Sequence, residues 1–361
     1  MKDVGIVGLP QSGKTTLFNA LTRAGAAAGG AAGKASVAAV PVPDPRVDLL
    51  SELERSRNRV LVQARFVDVA GLSAGGSGGL AAQGPGGPRG SSLAPRHLGA
   101  LREADALALV LAAWEEDGAD PVEAAAELTL ELTVADLESV AGGAEKAAKK
   151  ARAGVKDAAL EAEVLARARD LLDQGTPLRA ADWEPEQARV LRNFAPLTLK
   201  PALAVLNLAE ADAASAADRA AEAEAKLGLP TVAVAAALEA EAAELPPEDA
   251  ADLLAGYGVE RGGLDQVVGA AWRLLNLLTF LTTGEDETRA WEVHRGATAP
   301  EAAGRIHSDL QRGFIRAEVI AYDDLVPAGG WDKARSNGLL RTESKSYVVQ
   351  EGDVMNIRFN V

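Results

Sequence analysis

The run Gly8-Leu9-Pro10-Gln11-Ser12-Gly13-Lys14-Thr15 constrains this chain more than any other stretch. It fits G-x-x-x-x-G-K-[ST], and its surroundings fit as well. Residues 3–7 (Asp-Val-Gly-Ile-Val) read as a short buried strand, and Lys14 to Arg23 reads as a helix. Glycines in such a turn let the backbone curl, so that successive N–H groups point at one centre. The helix N-terminus behind them adds a dipole that favours an anion. The anion this pattern suits is a nucleotide phosphate. Pro10, Gln11, Ser12, Gly13, Lys14, Thr15 and Thr16 are therefore the expected phosphate-binding residues. Lys14 brings a point charge to the β- and γ-phosphates and is the expected catalytic group. The Thr15 hydroxyl is suited to coordinate Mg²⁺.

Two more elements fall at strand ends further along. Asp68-Val-Ala-Gly71 closes a predicted strand over residues 60–68. Asp68 can hold Mg²⁺ through water, and the Gly71 N–H can sense a γ-phosphate. Asn207-Leu208-Ala209-Glu210 follows a predicted strand over 201–206. GTP-binding proteins carry Asn-Lys-x-Asp there: the Asn ties loops together, the Lys covers the base and the Asp takes two guanine N–H donors. Leu208 and Glu210 replace the last two, and the longer Glu places its carboxylate elsewhere. A base site that loses such pairing loses discrimination, which argues against guanine. Ala235 and Ala236, ending a predicted strand over 230–235, are small enough for backbone to approach a base.

Composition excludes several other chemistries. The chain has no cysteine and three scattered histidines, which removes thiol catalysis, disulfide scaffolds and Cys- or His-built metal centres. No apolar run approaches the roughly 20 residues of a membrane span. The first residues lack a signal-peptide pattern, so a cytoplasmic protein is expected. A net charge of −15 disfavours broad nucleic-acid binding, and sequence-specific DNA recognition is not expected. Lys146, Lys149, Lys150, Arg152 and Lys156 nevertheless form a local basic cluster, read either as a contact for rRNA phosphates or as a solvated face balanced by Glu145 and Asp157.

The 361 residues suggest two or three domains of roughly 150 residues each. Strands at 3–7, 60–68, 106–112, 201–206 and 230–235 alternate with helical segments, which predicts an α/β fold with a doubly wound, mostly parallel sheet. Residues 24–39, almost all Ala and Gly, read as a loop. Residues 73–92 hold eight glycines and two prolines and read as disordered. Glu145 to Leu172 reads as a helical hairpin broken near Gly154. After about Thr283, strands at 289–293, 314–320, 346–349 and 354–360 surround one helix near 299–312, giving a small α+β domain. His307 is expected to be packed or half-buried on that helix, and Trp291 and Phe314 to fill the core.

Together these elements resemble the YchF subfamily of Obg-related translation-factor GTPases over nearly the whole chain. The resemblance rests on Gly5-Ile-Val-Gly-Leu-Pro10, Lys14-Thr-Thr-Leu-Phe-Asn-Ala-Leu21, Val40-Pro-Val-Pro-Asp-Pro-Arg46 and Phe66-Val-Asp-Val-Ala-Gly-Leu72. It continues through Leu197-Thr-Leu-Lys-Pro201, Glu239-Ala-Glu241, Gly313-Phe-Ile-Arg-Ala-Glu-Val-Ile-Ala-Tyr322 and Glu351-Gly-Asp353. It implies a P-loop nucleotide domain over 1–135 and 190–280, an inserted helical domain over 136–189, and a ubiquitin-like β-grasp (TGS) domain over 281–361. It implies ATP in preference to GTP, Mg²⁺ as cofactor, and association with ribosomes through the large subunit or rRNA. No membrane is involved, and a monomer is expected. Leu72 stands where Ras-like proteins place their water-orienting Gln.

Two departures bear on turnover. The Mg²⁺-contacting Thr of the family's first switch falls on Ala32, and residues 73–95 lack the Lys-Gly pattern of its second. Two functions remain open: a slow, Mg²⁺-dependent purine nucleotide triphosphatase acting as a ribosome-linked switch, or a nucleotide-binding regulatory module with negligible hydrolysis. A small-molecule P-loop kinase fits less well, because the glycine-rich loop carries only Arg89 and the C-terminal domain would go unexplained.

Overall fold

The computed structural model describes residues 2–23, 36–68, 95–114, 120–260 and 262–360. In chain order the elements begin with β1 (Lys2–Val7), α1 (Lys14–Arg23), β2 (Ser36–Pro41), α2 (Pro45–Glu54), β3 (Asn58–Val60), β4 (Gln63–Asp68), α3 (Pro95–Glu103) and β5 (Ala106–Ala112). Next come α4 (Pro121–Arg152), α5 (Ala158–Asp173), α6 (Pro185–Arg192), β6 (Ala202–Asn207), α7 (Ala216–Leu227), β7 (Thr231–Val234), α8 (Ala236–Ala242), α9 (Pro247–Gly256) and α10 (Gly263–Leu274). The chain closes with β8 (Leu277–Thr282), β9 (Glu287–His294), α11 (Ala299–Ile306), α12 (Ser308–Arg312), β10 (Phe314–Ala321), α13 (Tyr322–Ala328), α14 (Trp331–Ser336), β11 (Arg341–Glu343) and β12 (Asp353–Phe359). These elements form two compact units: residues 1–40 with 65–271, and residues 41–64 with 272–361.

The first unit is built on a six-stranded sheet in the order β2-β4-β1-β5-β6-β7. β1, β5, β6 and β7 are parallel neighbours, in register from Val4↔Ala106 through Leu107↔Ala202 to Ala204↔Thr231. The sequence of β5, Ala-Leu-Ala-Leu-Val-Leu-Ala, explains its central place, because a parallel strand covered on both faces needs an unbroken apolar run. This is the doubly wound α/β sheet the alternation of elements predicts. Connections from β1 run to one side and those through β5 to the other. A crevice therefore opens at the carboxyl end of β1, where such sheets bind ligands.

The hairpin of α4 and α5 stays within this unit. Asp120 caps α4 by accepting the Val122 N–H at 2.8 Å, with Pro121 preset for the first turn. The first half of α4 sends Leu128, Leu132 and Ala135 into the core of the sheet. Its second half packs Val140, Ala144 and Ala147 against Val164, Leu165, Ala168 and Leu172 of α5. Where the halves meet, the fully buried Asp136 carboxylate accepts the N–H groups of Leu197 (2.8 Å) and Thr198 (2.7 Å) and the Thr198 hydroxyl (2.7 Å). Burial pushes this carboxyl up from its ordinary value, and the three donors oppose the shift. Close by, Arg102 at the end of α3 donates to Ala135 O and to the Ser139 hydroxyl. Lys200 donates to the Arg102 and Ala104 carbonyls.

The second unit has its own six-stranded sheet, ordered β11-β10-β12-β8-β9-β3. β12 runs parallel to β8, while β8 with β9 and β10 with β12 are antiparallel. Phe280, Val293, Ala299, Phe314, Val319 and Met355 form its core, and Trp291 stacks on Phe280 with ring centroids 6.4 Å apart. Residues 41–64 complete this unit: β3 adds a parallel edge strand to β9, and Arg46 of α2 ties two distant carboxylates together. Its guanidinium donates to Asp44 at 2.8 and 2.7 Å and to Glu351 at 2.7 Å. The other Glu351 oxygen accepts the Thr279 N–H at 2.9 Å.

Several expectations are corrected here. Residues 36–39, read as loop, lie in β2. No strand covers 346–349, where Val348 makes only an isolated bridge with Thr298. The helix read as 299–312 is two helices, separated at His307, whose extended backbone (φ −161°) interrupts it. His307 is not packed: its side chain is 64 % exposed, and Nδ1 accepts the Asp309 N–H. The alternation also missed β8, β11, α13 and α14. The expected loop over 24–35 and the disorder of 73–92 lie outside the described residues.

Replacing Asp136 with Ala leaves the Leu197 and Thr198 N–H groups buried without partners. It is expected to cost about 2–4 kcal/mol in denaturant unfolding. Asp136→Asn, which keeps one acceptor oxygen, should cost less than half of that.

Candidate functional site

The turn after β1 is a left-handed curl. Gln11 has φ 65° and Gly13 has φ 86°. A side chain is strained at Gly13 for a second reason, since its Cβ would collide with the Asn207 amide. At Gly8 a Cβ would run into the Val110 carbonyl of β5. The glycines thus serve both backbone conformation and close packing of the turn on the sheet. Ser12 N donates back to Leu9 O at 3.3 Å, and α1 starts with Leu17 N donating to Gly13 O at 2.9 Å.

Lys14 opens α1 and is 8 % exposed, with its ammonium donating to Leu9 O at 2.7 Å inside the turn. Burial lowers its pKa, and the Asp68 charge opposes that. Asp68, the last residue of β4, is 3 % exposed. Burial raises its carboxyl and the Lys14 charge holds it down. The Asp68 Oδ1 and the Ser12 hydroxyl are buried with no hydrogen-bond partner. An unpaired buried carboxylate oxygen is costly on its own, so it marks a position suited to a ligand donor or a cation's water. Among the described residues no three His, Asp or Glu side chains gather as a metal centre. The protein donors that could hold a cation here are the Thr15 hydroxyl and the Asp68 carboxylate. Thr15, Pro10 and Gln11 are exposed, and Thr16 is half-buried.

Asn207 pins the turn from the far side. Its amide nitrogen donates to Ser12 O at 3.2 Å, and its Oδ1 accepts the Ala236 N–H at 3.1 Å. One side chain so joins the phosphate turn, the end of β6 and the start of α8. The structure thereby brings together Ser12, Gly13, Lys14, Asp68, Asn207 and Ala236. Glu210 is exposed at the start of a 3₁₀ turn over Glu210–Ser215. Leu208, next to Asn207, is 3 % exposed and packed into the apolar core of the sheet. Ala235 and Ala236 are buried. Gly71, Leu72 and Ala32 lie outside the described residues.

Glu239 is the residue whose place the sequence reading missed. It is buried on α8, one turn after Ala236, and accepts the N–H groups of Gly263 and Leu264 at the start of α10. Burial pushes its carboxyl up against these two donors. A glutamate on the inward face of a short helix was the one available signal.

Comparison with known proteins shows the family. A family model described as a 50S ribosome-binding GTPase matches residues 3–140, and a YchF-GTPase C-terminal model, described as a protein of unknown function, matches residues 277–360. The Ribosome-binding ATPase YchF of Haemophilus ducreyi is 39% identical over 369 residues, covering 99% of both chains. The protein of the same name from Bacillus subtilis is 37% identical over 374 residues, with the same coverage. This chain belongs to the YchF family. The YchF GTPase of Schizosaccharomyces pombe, a solved structure, superposes with a TM-score of 0.83 at 25% identity, covering 99% of this chain and 97% of that one. The YchF fold thus extends over the whole chain.

Two substitutions separate structural from ligand-directed residues. Gly13→Ala should lower the melting temperature, because its Cβ meets Asn207 in a left-handed backbone. Asp68→Asn, which removes a buried carboxylate charge whose Oδ1 lacks a hydrogen-bond partner, should raise the stability of the ligand-free protein by about 1 kcal/mol in denaturant unfolding and abolish any Mg²⁺-dependent gain.

Proposed function

We propose that this chain binds a purine nucleoside triphosphate with Mg²⁺ and hydrolyses it slowly, as a ribosome-associated switch. The observation that carries the reading is the phosphate turn with Lys14 buried beneath it, Asp68 beside it and Asn207 locking it from behind. The names of its relatives, ribosome-binding ATPases, support both the activity and the partner. We assign the partner contact to the large subunit, which the description of the N-terminal family model favours.

In this reading the turn's N–H groups and the Lys14 ammonium hold the β- and γ-phosphates. Catalysis is positioning plus stabilisation of charge that develops on phosphate oxygens. Thr15 and Asp68 would hold Mg²⁺, which supplies neutralisation of the triphosphate. The base is adenine in preference to guanine: Glu210 is exposed where guanine readers keep an Asp, and the buried Leu208 stands where they keep a Lys over the base. The second unit is a TGS-like β-grasp module, a reading supported by the parallel β8–β12 pair at the middle of its sheet and by α11 packed in its core. Ala32, at the position of the family's Mg²⁺-contacting Thr, favours slow turnover and keeps a second reading in play, a nucleotide-binding module with negligible hydrolysis.

Titration calorimetry with non-hydrolysable ATP and GTP analogues in Mg²⁺ should give at least tenfold tighter binding of the ATP analogue. Equal or guanine-favoured affinity would overturn the base assignment. In phosphate-release assays Lys14→Ala should lower the rate by about 10²–10³-fold. An unchanged rate would rule out the proposed site, and no measurable wild-type turnover with or without ribosomes would leave the binding-module reading.

A further inference from the structure

The α4–α5 hairpin reverses at residues 153–157, with Gly154 at φ 72° and Asp157 at φ 62°. Lys146, Lys149, Lys150, Arg152 and Lys156 surround this reversal, and all five are exposed. Glu145 and Asp157 are the only carboxylates from 145 to 157, so the tip is positive on a chain whose net charge is −15. None of the five cations makes an ion pair or side-chain hydrogen bond among the described residues. Glu161 and Glu163, at the start of α5, accept nothing from them. Val155, 51 % exposed, stands at the apex.

Helix stability does not account for this arrangement. One or two cations in the last turn of α4 would complement its dipole. The sequence instead sets Lys146 against Lys150 at i,i+4 and Lys149 against Arg152 at i,i+3, pairs that repel. Earlier in the same helix, acidic residues dominate: Glu123, Glu127, Glu131 and Glu138. The sign changes only toward the tip. That tip stands roughly 30 Å along the helix from Leu132, the last large residue α4 gives to the core of the sheet. A concentrated same-sign patch, without ion-pair partners among the described residues and set at the end of a stiff lever on a chain of net charge −15, is suited to a polyanion met at that point.

We propose that the hairpin tip is a prong that grips the phosphate backbone of structured RNA, with Lys149, Lys150, Arg152 and Lys156 as its contacts. This deepens the ribosome-associated reading and rests on it for the biological source of the RNA. Phosphate contacts of this kind position a protein without reading sequence. The acidic remainder of the chain confines the contact to the tip and discourages other approaches.

The test compares four full-length proteins: wild type; a set with Lys149, Lys150, Arg152 and Lys156 changed to Glu; a set with the same four changed to Gln; and a swap set with Lys→Arg and Arg→Lys at these positions. Circular dichroism checks that each hairpin folds. Each protein is titrated against a fluorescein-labelled RNA stem-loop over a range of salt, and sedimented with purified ribosomes. Wild type and swap set should bind the stem-loop alike. The Gln set should bind at least tenfold more weakly, with a salt slope shallower by about 2–3, and the Glu set more weakly still. Phosphate release without ribosomes should be the same in all four. Equal stem-loop affinity of the wild-type and Gln proteins, no wild-type binding of the stem-loop, or loss of binding in a folded swap set overturns the prong. If wild type fails to sediment with ribosomes yet binds the stem-loop through the tip, the ribosome reading falls and the prong stands. If wild type and the Gln set sediment equally and their stem-loop affinities match, the prong falls and the ribosome reading stands.

Discussion

The Asn207 carboxamide is the contact on which the site depends. It spends its donor on Ser12 O and its acceptor on the Ala236 N–H, so each of its polar atoms is committed to a different element. Hydrogen bonds of this strength contribute only about 1 kcal/mol each to stability. Their value here is geometric. They fix the distance between the phosphate turn and the strand ends that would flank a base, and Gly13 has no side chain because Asn207 stands where one would go. With the turn held rigid, Lys14 and Asp68 can remain buried and opposed although neither is fully satisfied. Each burial disfavours the charge it encloses and each neighbour restores part of it, the arrangement expected where a protein keeps charge ready for a ligand that will neutralise it.

What the sequence made legible follows from how local each signal is. The phosphate turn is eight consecutive residues between a strand and a helix, so its shape depends on little outside itself. Asn207 was legible because a strand ending in Asn has few other uses beside such a turn. Leu208 shows the opposite case. A motif position suggests a role over a base, but a leucine after a buried strand gains more by joining the core, and burial won. The buried role of Glu239 was not legible because its partner, the start of α10, lies 24 residues further on. The strand β3 was invisible as well: Asn-Arg-Val carries no alternation, and only pairing with β9 makes it a strand.

The helical hairpin is joined to the sheet by polar groups rather than by apolar packing alone. Asp136, Arg102 and Lys200 close around the junction of α3, α4 and the segment entering β6: Lys200 takes a carbonyl that the end of α3 leaves open, Asp136 takes the Leu197 and Thr198 N–H groups, and Arg102 holds the Ala135 carbonyl within α4. Hydrogen bonds of this kind are directional. The junction resists rotation of α4 about its own axis, which a greasy interface would permit. A lever as long as α4 can carry a contact at its far end only if its base does not swivel.

Residues 41–64 belong to the same compact unit as the last ninety residues of the chain. Arg46 reaches Glu351, and β3 lies beside β9. This unit therefore has no contiguous gene segment behind it. A fragment that starts at Trp272 lacks an edge strand and the guanidinium that joins Asp44 to Glu351, so cutting the chain there yields an incomplete sheet rather than an independent module. During synthesis the early segment emerges long before its partners, and the sheet it completes cannot close until the last strand has been made. The last strand, β12, lies between β10 and β8, so until it is made the sheet that β3 extends remains two separate pieces.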